Sequence, residues 1–556
     1  MKCFFLILTL GLTSVVFAQS QPEWWRRTTV YQIYPRSFYD TNGDGIGDLK
    51  GIIQKLDYIQ SLGFETIWIS PFFKSPQADF GYDISDYRSI APEYGDMQLC
   101  ETLIKEVHQR GMRIVFDMVM NHTSNQHPWF TESASSRANA KADWYVWKNG
   151  KGRNGKRPPN NWKAMIGGSG WHYHEGRKQF YWASFLPFQP DLNYHNSEVK
   201  QEMLNTARFW LAKGVDGFRL DIFNAIYEDT SFHNNPFSFR IIPNEQNPDG
   251  FFQKAKYNIN HEKSFEFATE LRAVTDEFPE KFMVGEVFGN AATLKKFSNY
   301  QGKNGLHTIF LFKTLTMPFK AKTYRKITEE FEAQFPEPFE PTYVFGNHDR
   351  TRNIMRVKGN IDKAKLKALY QFTVRGIPFT YYGEELGMPN ERIKLKDGKD
   401  PLAQRYKWIA QGLVNLSEET LNRDEVRTPM LWDSSANAGF STSTPWLPVS
   451  QNYKELNVQM GQKNEQGLLR FYQKLLAFRN EYSALQNGRF ETAKEYCSKN
   501  IFAYRRIESR KKLLILLNMS AKPCKISTVN GKIVFSTHTN SENGVLQPWE
   551  GKVIEE

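Results

Sequence analysis

A (β/α)8 TIM barrel, carrying a small domain inserted after its third strand and followed by an antiparallel β domain, is the fold this sequence predicts. Three observations predict it. Eight short apolar segments, 29–34, 66–70, 113–118, 217–221, 282–285, 308–312, 342–346 and 378–382, alternate with amphipathic stretches such as 49–62 and 99–110, the order that closes a parallel barrel. Four of those segments end in polar residues, which a barrel gathers at one mouth. Beyond Gly488 the texture changes to β runs, 501–507, 513–517 and 532–536, broken by Asn, Gly and Ser turns. A doubly wound sheet shares the strand–helix alternation, and periodicity leaves it open.

The chain begins with Lys2, an apolar run over 4–17 and small residues at Val16 and Ala18, the pattern of a cleaved secretory signal. The run is shorter than the ~20 residues of a membrane span, so stable insertion is not expected, although a retained anchor is the competing reading. Residues 1–18 are therefore read as a signal peptide, and the mature protein as secreted or periplasmic. The barrel takes 19–122 and 190–488. Between them, 123–189 is rich in Trp, Gly, Asn and Pro and forms the inserted domain; 225–265 is a second excursion, after strand four. Long loops of this kind are usually functional, and in barrels they build the active face. Leu468, Phe471, Leu475 and Phe478 mark a closing helix, and 489–556 is the C-terminal β domain.

At 556 residues the chain has room for large cores. Its net charge is +12, but Lys and Arg alternate with Asp and Glu, as in 391–397, and form no block. Nucleic-acid binding is thus without support. Cys3 leaves with the signal; Cys100, Cys497 and Cys524 remain, so at most one disulfide forms, with Cys497 and Cys524 nearest in sequence. Asn415 and Asn518 head sequons.

The polar exits are Asp117-Met-Val-Met-Asn121-His122, Arg219-Leu-Asp221, Gly285-Glu286 and Asn347-His348-Asp349. An isolated Arg-x-Asp reads as a structural ion pair; four such exits at one mouth do not. Asp221, Glu286 and Asp349, with two histidines and an arginine, suit glycosyl transfer to water, which needs one carboxylate as nucleophile and one carboxylic acid, ~5–5.5 Å apart in retaining enzymes. Arg219 would keep Asp221 ionised, while Asp221 and Asp349 would raise Glu286 by like-charge repulsion. Tyr82 and Asp83 could add a stacking ring and an acceptor. No cofactor is required by this chemistry.

With these motifs in view, the chain is similar to α-glucosidases of the α-amylase superfamily (glycoside hydrolase family 13), in the branch of oligo-1,6-glucosidases, maltases and insect gut sucrases. The matching stretches also include Val30 to Arg36, Asp79-Phe-Gly-Tyr-Asp83, Gln189 to Asn193, Gly376 to Glu385 and Arg427 to Met430, in family order. The resemblance implies Asp221 as nucleophile, Glu286 as acid/base and Asp349 as the carboxylate that holds the distorted sugar. It implies that Asp83, His122, Arg219, His348 and Arg427 grip the terminal glucose and that Tyr82 stacks on it. It makes 123–189 domain B and 489–556 domain C, and Gln189 to Asn193 the mark of small α-glucoside substrates. Two positions depart from the family pattern. Ile166 replaces an aromatic residue before the Gly-Ser of the domain B loop, and Ile222 follows the nucleophile where relatives carry Val or a smaller residue. A bulky Ile222 is expected to disfavour maltose relative to isomaltose or sucrose.

Asp40-Thr-Asn42-Gly-Asp44-Gly-Ile46-Gly-Asp48 alternates oxygen donors with glycines, as a hard cation requires. Gly51 stands where an EF-hand has Glu. The resemblance implies structural Ca²⁺ held by Asp40, Asn42, Asp44, the Ile46 carbonyl and Asp48; a solvated Asn/Gly turn is the alternative. His172-Tyr-His174 lacks partners for a zinc site, Gly167 to Gly170 lacks the Lys-Ser/Thr of a phosphate loop, and no G-x-S-x-G is present. The expectation is a secreted retaining α-glucosidase. A transglucosidase or sucrose isomerase with the same intermediate stays open, and so does a non-enzymatic ectodomain like the transporter heavy chains of the superfamily.

Overall fold

The structure, a computed structural model, describes residues 23–410, 412 and 420–556. The signal expected over 1–18 and the Asn415 sequon lie outside these residues. Eight parallel strands form the central sheet: β1 (Val30–Ile33), β2 (Thr66–Ile69), β3 (Arg113–Val119), β4 (Gly217–Asp221), β5 (Phe282–Gly285), β6 (Thr308–Ile309), β7 (Thr342–Val344) and β8 (Ile377–Tyr381). Their order is β6-β5-β4-β3-β2-β1-β8-β7, a barrel whose backbone ladder is open between β6 and β7. Threonines span that seam: Thr342 Oγ1 donates to Ile309 O (3.0 Å) and accepts from Leu311 N (2.8 Å), and Thr308 Oγ1 donates to Glu340 O (2.7 Å).

Side chains alternate along the strands. Val115, Phe282, Val284, Val344 and Phe379 fill the barrel in one cluster, while their neighbours Phe116, Phe218, Met283 and Tyr343 pack outward on the helices. That alternation aims Asp117 and Arg219 inward, above Val115 and Gly217. Gly217 is required where β4 meets β5: a Cβ there would lie 1.9 Å from Phe282 O.

Met97–Gln109 (α1) is capped by Asp96, Pro128–Ser135 (α2) by His127, and Ser197–Ala212 (α3) by Asn196. In the insert, Trp147–Lys148, Gln179–Trp182 and Trp171–His174 form a three-stranded antiparallel sheet. Its core is Val146, Trp162, Trp171, Phe180 and Trp182. Bridges between His122 and Asp191 and between Tyr145 and Leu192 tie its base to the exit of β3. The helix Leu468–Glu481 buries Leu468, Phe471, Leu475 and Phe478, as its spacing predicts. The chain ends in a five-stranded antiparallel sheet, in the order Arg489–Thr492, Ile501–Glu508, Lys511–Asn518, Gly551–Glu555, Lys532–Ser536. Cys100, Cys497 and Cys524 are all free thiols. Asn518 is buried, its amide donating to the carbonyls of Lys522, Leu546 and Gln547.

Candidate active site

The exits of β4 and β5 are locked in register beyond their last residues. Glu286 N donates to Leu220 O (2.8 Å) and Phe223 N to Glu286 O (2.9 Å), so Asp221 and Glu286 project side by side. The chain turns away from Asp221 through Ile222, whose φ of 37° is a strained, left-handed geometry for a β-branched residue.

Arg219 joins the carboxyls. Its Nη1 lies 2.6 Å from Asp221 Oδ1 and 2.8 Å from Asp117 Oδ1, and its Nη2 pairs with Glu286 Oε2. The planar guanidinium fork suits this bridging, which a point charge could not reproduce. Asp117 Oδ2 also accepts from Trp68 Nε1 (3.2 Å) and from the Tyr82 hydroxyl (3.0 Å). Beside them stands His348, fully buried. Gln32 Nε2 lies 2.7 Å from its Nδ1, which must accept, so the proton sits on Nε2. That N–H faces the Tyr82 hydroxyl (2.6 Å) and Asp349 Oδ2 (3.1 Å). The Tyr82 ring stacks on the imidazole at 5.4 Å and 6°. Arg427 holds Asp349 from behind, Nη2 to Oδ1 at 2.7 Å, and donates from Nε to His348 O (2.8 Å). His122 borrows the same loop, its Nε2 3.1 Å from Tyr82 O.

These contacts separate the carboxyls by protonation. Burial raises Glu286, Arg219 opposes it, and the charges of Asp221 and Asp349 add to it, giving about 8. Asp221 is raised by burial, with Arg219 in opposition, to about 6. Of the two, Glu286 is the one that keeps its proton to the higher pH. Burial also raises Asp349, but His348, Arg427 and Arg423 outweigh it and hold that carboxyl well below the usual range. Burial lowers His122 to about 4 and His348 to about 3, so both imidazoles are neutral. A proton donor, an ionised carboxylate beside it and a third, permanently charged carboxylate is the division of labour that glycosyl transfer needs.

A cavity of about 280 Å³ opens over this group, lined by Asp221, Glu286, Asp349, Tyr82 and His122. Arg219, His348 and Arg427 stand behind that wall and act on the lining carboxyls. Asp83 corrects the sequence reading. It is wholly buried away from the cavity, its carboxylate accepting from Ser75 Oγ and the amides of Ala78 and Asp79 (each 2.9 Å). The cavity-lining carboxylate of that motif is Asp79, paired with Arg423 at 2.7 Å. Phe80 (φ 48°) and Gly81 (φ 103°) turn the chain between the two aspartates and send their side chains different ways. Arg423, which also lies 3.4 Å from Asp349, is a second residue that sequence reading missed; its signal was its place four residues before Arg427. Glu245 of the second excursion lines the cavity and pairs with Arg350. Ile166 lines it too, whereas Ile222 is 1% exposed and packs in a cluster with Met165, Phe185 and Phe288, which do.

The loop of the expected cation ligands lies elsewhere, against the segment around Ser441. Asp40 accepts from Gly43 N, Gly45 N and Ser441 Oγ (2.8, 2.8 and 2.6 Å). Asp48 accepts from Gly51 N (2.7 Å) and Thr41 N (2.8 Å), and Asp44 from Ile46 N (2.8 Å). Among the described residues no group of three or more His, Cys, Asp or Glu is placed to hold a metal. By chemistry the set fits a hard cation: three carboxylates, an amide and the Ile46 carbonyl, all oxygen donors on one glycine-rich loop.

Comparison with known proteins agrees with this geometry. The alpha amylase catalytic domain matches residues 32–488. A probable alpha-glucosidase of Rhizobium meliloti (strain 1021) is 38% identical, covering 92% of both chains. The oligo-1,6-glucosidase of Parageobacillus thermoglucosidasius is 35% identical over 95% of this chain and 98% of its own. Among solved structures, the alpha-glucosyl transfer enzyme XgtA superposes with a TM-score of 0.87 at 34% identity, over 96% of this chain and all of that one.

Proposed function

The chain belongs to the alpha-amylase family, and we propose that it is a retaining α-glucosidase releasing glucose from the ends of small α-glucosides such as maltose, isomaltose and sucrose. The observation that carries the proposal is the Arg219 fork, which holds Asp221 and Glu286 together while their surroundings give them different protonation states.

Asp221 attacks the anomeric carbon as Glu286 gives its proton to the glycosidic oxygen, so the leaving sugar departs neutral. A glucosyl ester of Asp221 results. Glu286, now a carboxylate, takes a proton from water, which attacks the same carbon and frees Asp221. Asp349, kept ionised by Arg427, accepts from the hydroxyls of the distorted ring, and His122 supplies a neutral imidazole at the cavity wall. When another sugar takes the place of water the product is a new oligosaccharide. This second reading is favoured by the likeness to a glucosyl transfer enzyme.

Three finer readings belong to this proposal. Ile222 acts on linkage choice through Met165, Phe185 and Phe288 rather than by direct contact, and a higher kcat/KM on maltose than on both isomaltose and sucrose would refute it. Ca²⁺ would be held by Asp40, Asn42, Asp44, the Ile46 carbonyl and Asp48, and would neutralise carboxylates on a loop that touches Ser441; a melting temperature indifferent to chelator and to added Ca²⁺ would exclude it. The protein is exported, which the N-terminal sequence of the mature chain from its host would decide.

Proton NMR of the protein with each of the three disaccharides, beside an Asp221→Asn control, tests the main proposal. Glucose appearing first as the α-anomer, and absent in the control, is the expected result. β-Glucose at early times would reject retention, and new oligosaccharides would favour transfer.

A further inference from the structure

A second groove, of about 480 Å³, shares no lining residue with the catalytic cavity. It lies on the outside of the barrel, between the start of α2, the strand Asp86–Ile90 and the middle of α3. Thr206 is fully buried on α3 and lines this groove, yet its hydroxyl has no hydrogen-bond partner among the described residues. A buried hydroxyl without a partner is costly, so something that enters the groove is the natural partner. His127 lines the groove as well. It is 4% exposed, and its Nδ1 accepts from Trp129 N (3.1 Å), which places the ring proton on Nε2. Burial lowers it to about 4, so the ring is a neutral donor.

The remaining walls define the ligand. Trp129 is half-buried and held in place by Tyr87 (5.9 Å, 25°), His127 (4.2 Å) and Trp144 (5.0 Å). It offers a rigid aromatic surface with an indole N–H that has no partner among the described residues. Facing it, Arg88 and Glu202 pair at 2.7 Å, and Lys74 and Asp86 complete the rim. Two basic and two acidic groups leave no net charge, which disfavours a phosphate or an anionic peptide. An aromatic plate surrounded by planar donors and acceptors matches a neutral ring with apolar C–H faces and an equator of hydroxyls.

We propose that this groove is a second carbohydrate site, which binds a neutral hexopyranose unit on Trp129, with its hydroxyls on Thr206 and His127. The choice of glucosides as ligand rests on the function proposed above; the groove itself does not. Its floor is coupled to the catalytic strand, since the Tyr87 hydroxyl lies 2.8 Å from Val119 O and 2.9 Å from His122 O at the exit of β3.

The test is a titration of the Asp221→Asn protein with maltose by saturation-transfer NMR, with the catalytic cavity filled by saturating 1-deoxynojirimycin. Residual maltose binding is expected, weakened at least fivefold by Trp129→Ala, and also by Thr206→Val and, at the exposed residue that lines the groove next to His127 in sequence, by Gln126→Ala; these two remove little packing and serve if the tryptophan variant does not fold. No residual binding, or residual binding untouched by all three substitutions, would overturn the proposal. Wild-type protein that hydrolyses maltose but shows no residual site would reject this inference alone; a residual site in a protein that hydrolyses none of the disaccharides would reject the activity alone.

Discussion

Arg350 and Glu245 form an ion pair that joins two walls of the catalytic cavity, the exit of β7 and the second excursion. A backbone bond from Gly289 N to Glu245 O (2.8 Å) sets the same residue against the exit of β5. The pair is partly exposed, with side chains 35% and 15% accessible, so it is worth about 0.2–1 kcal/mol. Glu245→Gln is expected to raise KM for maltose roughly two- to fivefold with kcat little changed. Raising salt toward 0.5 M should raise KM in the wild type and not in the variant, as screening requires. Steady-state kinetics at two ionic strengths checks both; an unchanged KM at low salt would contradict the role.

The pH dependence of kcat/KM should be a bell. Asp221 must be ionised, so activity rises as pH passes about 6; Glu286 must be protonated, so activity falls as pH passes about 8. The Asp349 charge is one of the terms that raise Glu286. In Asp349→Asn the residual activity should therefore show its alkaline limb at lower pH. A limb that stays in place, or moves up, would refute this coupling.

Arg219→Lys keeps the charge and loses the fork. One ammonium cannot meet Asp117, Asp221 and Glu286 from one plane, so kcat is expected to fall by roughly 10²–10⁴, comparable with removing a main electrostatic contact of the transition state. An unchanged circular dichroism spectrum would show that folding is intact. Activity within tenfold of wild type would mean the fork is dispensable.

Glu286 also bears on stability. Its folded value is raised from 4.5 to about 8, so the folded chain keeps a proton that the unfolded chain has lost across that interval. The contribution is fully present below 4.5 and is lost as pH rises through about 8. Glu286→Gln does not titrate. Its melting temperature should gain on the wild type as pH goes from 5 to 8, then run parallel; a gap that shrinks over this range would reverse the sign.

Much of this was legible in the sequence, because strand exits carry their chemistry in short contiguous motifs. All eight barrel strands fall within or beside the segments read from apolar runs, and Asp221, Glu286 and Asp349 are brought to one cavity. The limits are local and physical. Asp79 and Asp83 share one motif, and only the left-handed turn at Phe80 and Gly81 decides which faces the cavity. Glu245 and Arg350 lie 105 residues apart, on segments without a shared pattern. Thr206 is an ordinary helix residue until the absence of a hydrogen-bond partner is seen.

The threonine seam between β6 and β7 has a dynamic consequence. Everywhere else in the barrel neighbouring strands share a backbone ladder; here side-chain hydroxyls hold the gap. On one side β7 leads to Asp349; on the other β6 is paired with β5, which leads to Glu286. Thermal opening of the barrel should therefore begin at the seam, where amide hydrogens would exchange with solvent faster than those of β3 and β4, and each opening would separate the proton donor from the carboxylate that steadies the sugar.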